Sequence, residues 1–156
     1  MIRYLLPSLL ILCTASAALF FAATQPAAAV QASSDAQPST PYKVVFQVTS
    51  DTPDAWGGVL RNIDNLRESL GKENVTVEVV GHSGGLGMLT KSNSDTGEKV
   101  QALASDGVTF LACENTMTRK DISRDQLLPG IDTVDAGVAQ VVRRQAEGWQ
   151  YIRNGN

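Results

Sequence analysis

The sequence predicts an α/β domain with a parallel or mostly parallel sheet and helices on both of its faces. Three observations carry this expectation. Runs at Tyr42 to Ser50, Val75 to Val80 and Val108 to Ala112 are β-branched and mostly apolar, as strands buried on both faces are. Segments with helical spacing of apolar residues separate them. Strands interleaved with helices in this order need right-handed crossovers that cover the sheet.

Taken in order, strand one runs Tyr42 to Ser50. After Asp51-Thr52-Pro53-Asp54, apolar residues at Val59, Ile63, Leu66 and Leu70 mark the first helix, which Gly71 stops. Val75 to Val80 is the second strand, and it enters a turn at Gly81-His82-Ser83-Gly84-Gly85-Leu86-Gly87, with a short helix starting around Leu86, Met88 and Leu89. Ser94 or Asp95 is placed to cap a helix reaching Ser105, with Val100, Leu103 and Ala104 inward. Strand three, Val108 to Ala112, leads into Cys113-Glu114-Asn115-Thr116 and a short polar helix over Thr116 to Ile122. Gly130 to Asp135 gives a fourth strand, Gly137 to Glu147 a helix with Val138, Val141 and Val142 on one side, and Trp149 to Arg153 a final strand.

The first residues have the charge, apolar core and small-residue order of a secretory signal: Arg3, then an apolar run from Leu5 to Ala23, then Ala27 to Ala32. The expected boundaries are a signal over 1–29, with cleavage possible as late as 32, a flexible Ala/Ser/Gln/Pro linker over 30–41, and one domain over 42–156. That places the mature chain in the periplasm or secreted. An uncleaved signal is the one route to a membrane. Cys13 lies inside the apolar run, after Leu12, where a lipid-modified cysteine would follow a small residue, so it leaves with the signal.

A net charge of −3 lacks the electrostatic footprint of a nucleic-acid binder. Of two cysteines, removal of the signal leaves Cys113 alone, with no partner for an intrachain disulfide. One histidine and one cysteine are too few for a confident zinc site, so no metal is expected.

Gly81-His82-Ser83-Gly84-Gly85 fits the G-x-S-x-G nucleophile elbow and follows a strand, as an elbow must. An elbow serine needs a histidine base from later in the chain. The single histidine is His82, inside the motif, so the serine hydrolase fails and a glycine turn is the better reading. The same glycines match neither G-x-G-x-x-G nor G-x-x-x-x-G-K-[ST].

Cys113 is the candidate for covalent chemistry. It stands at the carboxyl end of a strand, where ligands gather in such sheets, and just ahead of a helix whose free amides favour a thiolate. Asn115 and Thr116 sit at that helix start, either able to cap it, and Arg119 and Lys120 add positive charge while Glu114 opposes ionisation. His82, at the neighbouring strand end, is placed to hydrogen-bond the thiol. A cysteine closing an apolar strand is more often simply a small buried hydrophobe.

Val108-Thr109-Phe110-Leu111-Ala112-Cys113-Glu114-Asn115-Thr116-Met117, then Ile122 and Leu127-Leu128-Pro129-Gly130, resembles the cysteine region of DsrE/DsrF-like proteins. Gly137 to Gln145 and Gly148-Trp149-Gln150-Tyr151-Ile152 are similar to the last helix and strand of that group. The resemblance implies a three-layer α/β/α domain with a five-stranded parallel sheet, assembled as trimers or hexamers and needing no cofactor. It also implies that Cys113 carries a persulfide and exchanges sulfur with a thiol or persulfide partner protein. The alternative is a non-catalytic ligand-binding or oligomeric assembly module in which Cys113 merely packs.

Overall fold

The computed structural model describes residues 41–93 and 95–154. The expected signal over 1–29, the linker as far as residue 40, and Ser94 lie outside them. Strands β1 (Tyr42–Val48), β2 (Val75–Gly81), β3 (Thr109–Cys113), β4 (Asp132–Val134) and β5 (Gln150–Asn154) form one sheet in the order β4-β3-β2-β1-β5. All of its pairings are parallel. Helices α1 (Pro53–Leu70), α2 (Gly97–Ser105), α3 (Glu114–Arg119) and α4 (Gly137–Ala146) connect them, so the domain is a three-layer α/β/α sandwich.

The period of two along each strand divides the core. Val44, Phe46 and Val48 of β1, Val77 and Val79 of β2, and Phe110 and Ala112 of β3 pack with Val59 and Ile63 of α1 and Val100 and Leu103 of α2. The alternate residues Val45, Val80 and Leu111 form a smaller cluster with Val141 of α4, bordered by Val134 and Trp149. One sheet face therefore carries α1 and α2, and the other α4.

Local chemistry moves several boundaries. The polar stretch after β1 belongs to α1: Thr52 is its N-cap, accepting from the Ala55 amide at 3.4 Å, and Pro53 occupies the first turn, where its missing N–H costs nothing. β1 ends at Val48 rather than Ser50, because Ser50 turns its carbonyl to Trp56 Nε1 at 2.8 Å. The short helix expected around Leu86 is a longer 3-10 segment, Ser83–Leu89. At α2 the N-cap position is Thr96, not Asp95: the Asn93 side-chain oxygen accepts from both the Asp95 and Thr96 amides and sets the turn before it. β4 is confined to Asp132–Val134.

The largest departure is the rotation of α4. Val138, Val141 and Val142 share a side in the sequence, but Val141 is buried at 5 % exposure while Val138 and Val142 are 58 % and 60 % exposed. The face against the sheet is Gly137, Gln140, Val141 and Arg144. Its cause is Glu78, in the middle of β2 and 2 % exposed. A buried carboxylate needs charged and hydrogen-bonding partners. Gln140 Nε2 reaches it at 2.9 Å, and Arg144 binds it through Nε at 2.9 Å and an Nη at 2.7 Å, its guanidinium lying over the Trp149 ring at 4.6 Å.

Replacing Arg144 by Leu leaves Glu78 buried with Gln140 alone and is expected to lower the unfolding free energy by about 3 kcal/mol in urea titrations. Substituting Glu78 by Leu in the same chain should recover most of that loss. A double variant no more stable than Arg144→Leu would refute the pairing as the cause.

Candidate functional site at Cys113

Cys113 is both the last residue of β3 and the N-cap of α3, which begins at Glu114. The helix therefore starts earlier than the sequence suggested and stops at Arg119 rather than Ile122, and neither Asn115 nor Thr116 caps it. Both lie in its first turn. Cys113 is 3 % exposed, so the site is a pocket of backbone rather than an open cleft.

What surrounds Sγ is a set of hydrogen-bond donors from two helices. The amide of Gly137, first residue of α4, donates to Sγ at 3.2 Å. From α3 come the Thr116 hydroxyl and the Thr116 and Asn115 amides. Burial pushes the thiol pKa up, and these donors outweigh it, so Cys113 ionises below the ordinary free-thiol value. Neither α3 amide forms a full capping bond to the sulfur, and that of Asn115 is principally committed to the Asp135 carbonyl at 3.2 Å. The hydrogen bonds matter more here than the charges of Arg119, Lys120 and Glu114. Glu114 faces away, held by Thr133 Oγ1 at 2.6 Å and Arg124 at 3.1 Å.

Gly137 is a residue the sequence did not single out. A Cβ there would lie 3.1 Å from His82 Cβ, 3.2 Å from His82 Cδ2 and 3.2 Å from Val80 Cγ1, tighter than ordinary contact. Absence of a side chain is what lets α4 bring its first amide to the sulfur. The loop ahead of it is braced by Asp135, whose carboxylate accepts both Arg143 nitrogens at 2.8 Å; this guanidinium pushes the carboxyl pKa down to about 2.

His82 is a neighbour of this site but not a hydrogen-bond partner of the thiol. Its ring nitrogens meet Gln47 Nε2 at 2.8 Å and Ser83 Oγ at 3.2 Å. Burial, then the charge of Arg119, push its pKa below the usual histidine value. The elbow-like glycines do packing work: a Cβ on Gly85 would stand 2.1 Å from the Val48 carbonyl oxygen, so only glycine lets the turn close on the end of β1. Among the described residues no group of three or more His, Cys, Asp or Glu gathers as a metal site.

MTH1491 of Methanobacterium thermoautotrophicum, a protein of unknown function, is 39 % identical over 72 % of this chain and 98 % of its own, with a TM-score of 0.68. The chain belongs to the MTH1491 family. The YchN protein of E. coli is 12 % identical over 73 % of this chain and 99 % of its own, at a TM-score of 0.61. BT1422 of Bacteroides thetaiotaomicron, a conserved protein of unknown function, is also 12 % identical, over 71 % and 93 %, at 0.54. MTH1491 and YchN are DsrE-like in fold, and this domain shares that fold. No family model matches the chain, and no curated protein does.

The depressed thiol pKa has a thermodynamic signature. A group whose folded pKa lies below its unfolded value stabilises the native state fully above the unfolded pKa and loses that contribution as pH falls through the folded one. Wild type should therefore gain stability over Cys113→Ser as pH rises from the folded toward the free-thiol pKa, in urea titrations at stepped pH. Gly137→Ala, which pushes the amide off Sγ, should shrink that window, and a difference between wild type and Cys113→Ser that is constant with pH would contradict the donor set.

Proposed function

We propose that the protein carries sulfane sulfur as a persulfide on Cys113 and hands it to a partner thiol outside the cytoplasm. The observation behind this reading is the ring of donors on Sγ, which favours a thiolate at a strand end where ligands of α/β sheets collect. The DsrE-like fold supports it, since the relay members of that group carry sulfur on a cysteine at the position Cys113 matches. The export signal read at 1–29 supports the location.

The chemistry balances without a cofactor. Cys113 thiolate attacks the outer sulfur of a donor such as thiosulfate; a new S–S bond forms, the donor's S–S bond breaks, and sulfite leaves with the electron pair. An acceptor thiolate then attacks the outer sulfur of the persulfide, and Cys113 departs as thiolate, stabilised by the same amides. Gly137 and Thr116, with a smaller part from Asn115, serve as anion-holding residues in both steps.

Intact-mass measurement after exposure to thiosulfate or polysulfide should show wild type gaining one sulfur that Cys113→Ser does not. No gain in wild type, or the same gain in both, would end this reading.

A second reading has its own support. The 3 % exposure of Cys113 and the outward Val138, Val142 and Tyr151 suit an assembly module, in which the cysteine packs and the apolar side of α4 joins copies. Assembly is also compatible with the first reading, and the DsrE resemblance points to trimers or hexamers. Light scattering is expected to report more than one subunit, with Val142→Asp shifting the mass toward the monomer. A thiol probe that labels Cys113 only after denaturation would favour the module over the carrier.

A further inference from the structure

Both ring nitrogens of His82 are engaged away from the sulfur, and their partners settle its state. Gln47 accepts from the Tyr151 hydroxyl through Oε1, so its Nε2 is the donor to His82 Nε2. The ring proton is then on Nδ1, facing Ser83 Oγ at 3.2 Å. This neutral imidazole turns its carbon edge to Gly137, the residue whose amide lies on Cys113.

The next residue acts on the other donor. Ser83, in the left-handed region at φ 52°, donates its amide to Thr116 Oγ1 at 3.2 Å, and Arg119 donates to the same oxygen at 3.3 Å. With both lone pairs of that hydroxyl taken, its single hydrogen is free to turn toward Sγ, on which the Thr116 side chain acts as a donor. A non-glycine residue in this conformation costs energy and persists only where surrounding contacts hold it.

We propose that the His82–Ser83 turn positions the Cys113 site, the imidazole edge seating the Gly137 amide on Sγ and the Ser83 amide orienting the Thr116 hydroxyl toward the same atom. His82 is a positioning residue that works by shape, not the base that deprotonates the thiol. The inference rests on reading Cys113 as a working thiolate, but not on the sulfur it carries.

Alkylation of Cys113 by iodoacetamide across pH, followed on the peptide that carries it so that Cys13 does not contribute, reads the thiolate directly. His82→Ala and Thr116→Val should each lower the rate at neutral pH about tenfold, as a rise of one pKa unit does. The conservative His82→Phe should restore the wild-type profile, since it keeps the ring against Gly137 while losing both nitrogens, and Thr116→Ser should do the same for the hydroxyl. Wild-type profiles for both His82→Ala and Thr116→Val, or a His82→Phe profile matching His82→Ala, would overturn the proposal. If His82→Ala fails to fold, a His82→Phe profile displaced from wild type, or a Thr116→Val profile that matches wild type, would overturn it. Should wild type take up no sulfur from polysulfide while these pKa shifts appear, the carrier reading falls and this inference stands.

Discussion

A single carboxylate in the middle of β2 governs the layout of this domain. Glu78 sits where an apolar side chain would pack most simply, and its partners must come from the helix that crosses that face. Satisfying it turns Gln140 and Arg144 inward, and helix geometry then puts Gly137 inward as well, three residues before Gln140 and seven before Arg144. The position of the α4 amide over Cys113 thus follows from a charge pairing at the other end of the same helix. Packing alone would have favoured the valines, and the outcome shows a buried charge overriding hydrophobic periodicity.

This is also where the sequence was hardest to read. The strand and helix order was legible because each buried strand is a β-branched run with punctuation on either side, and the parallel sheet followed from it. The face of α4 was not legible: Val138, Val141 and Val142 make the stronger apolar stripe, and nothing local says that Arg144 belongs under the helix. The isolated Glu78 in VTVEVV was the available signal, since an acidic residue inside an apolar strand demands a basic partner. Cys113 and its helix were found from the strand-end position, but the cap was displaced because Asn115 and Thr116 are good capping types and a cysteine is not. Gly137 could be recognised only once the tertiary contact with His82 was known.

The pentapeptide around Ser83 illustrates how a catalytic pattern can arise from packing. Gly84 answers to the loop after β1 and Gly85 to the strand's last residue, and Ser83 takes a left-handed conformation of the kind that strains elbow nucleophiles. Here that geometry aims an amide at Thr116 rather than a hydroxyl at a substrate. The turn after β2 and the turn after β3 are neighbours because their strands pair, with Gly81 opposite Ala112. The residues that matter for the thiol are therefore drawn from chain segments about thirty and about twenty positions away from it, brought together by strand order.

The outer strands limit how this sheet can meet other chains. β4 offers only Asp132–Val134, and β5 carries the exposed, charged Arg153 beside Ile152. A border that short, or that charged, gives an incoming strand little to template on, which protects against fibril-like stacking. Any union between molecules is thereby directed away from backbone ladders and onto side-chain surfaces, where geometry rather than mere extension determines how many can join.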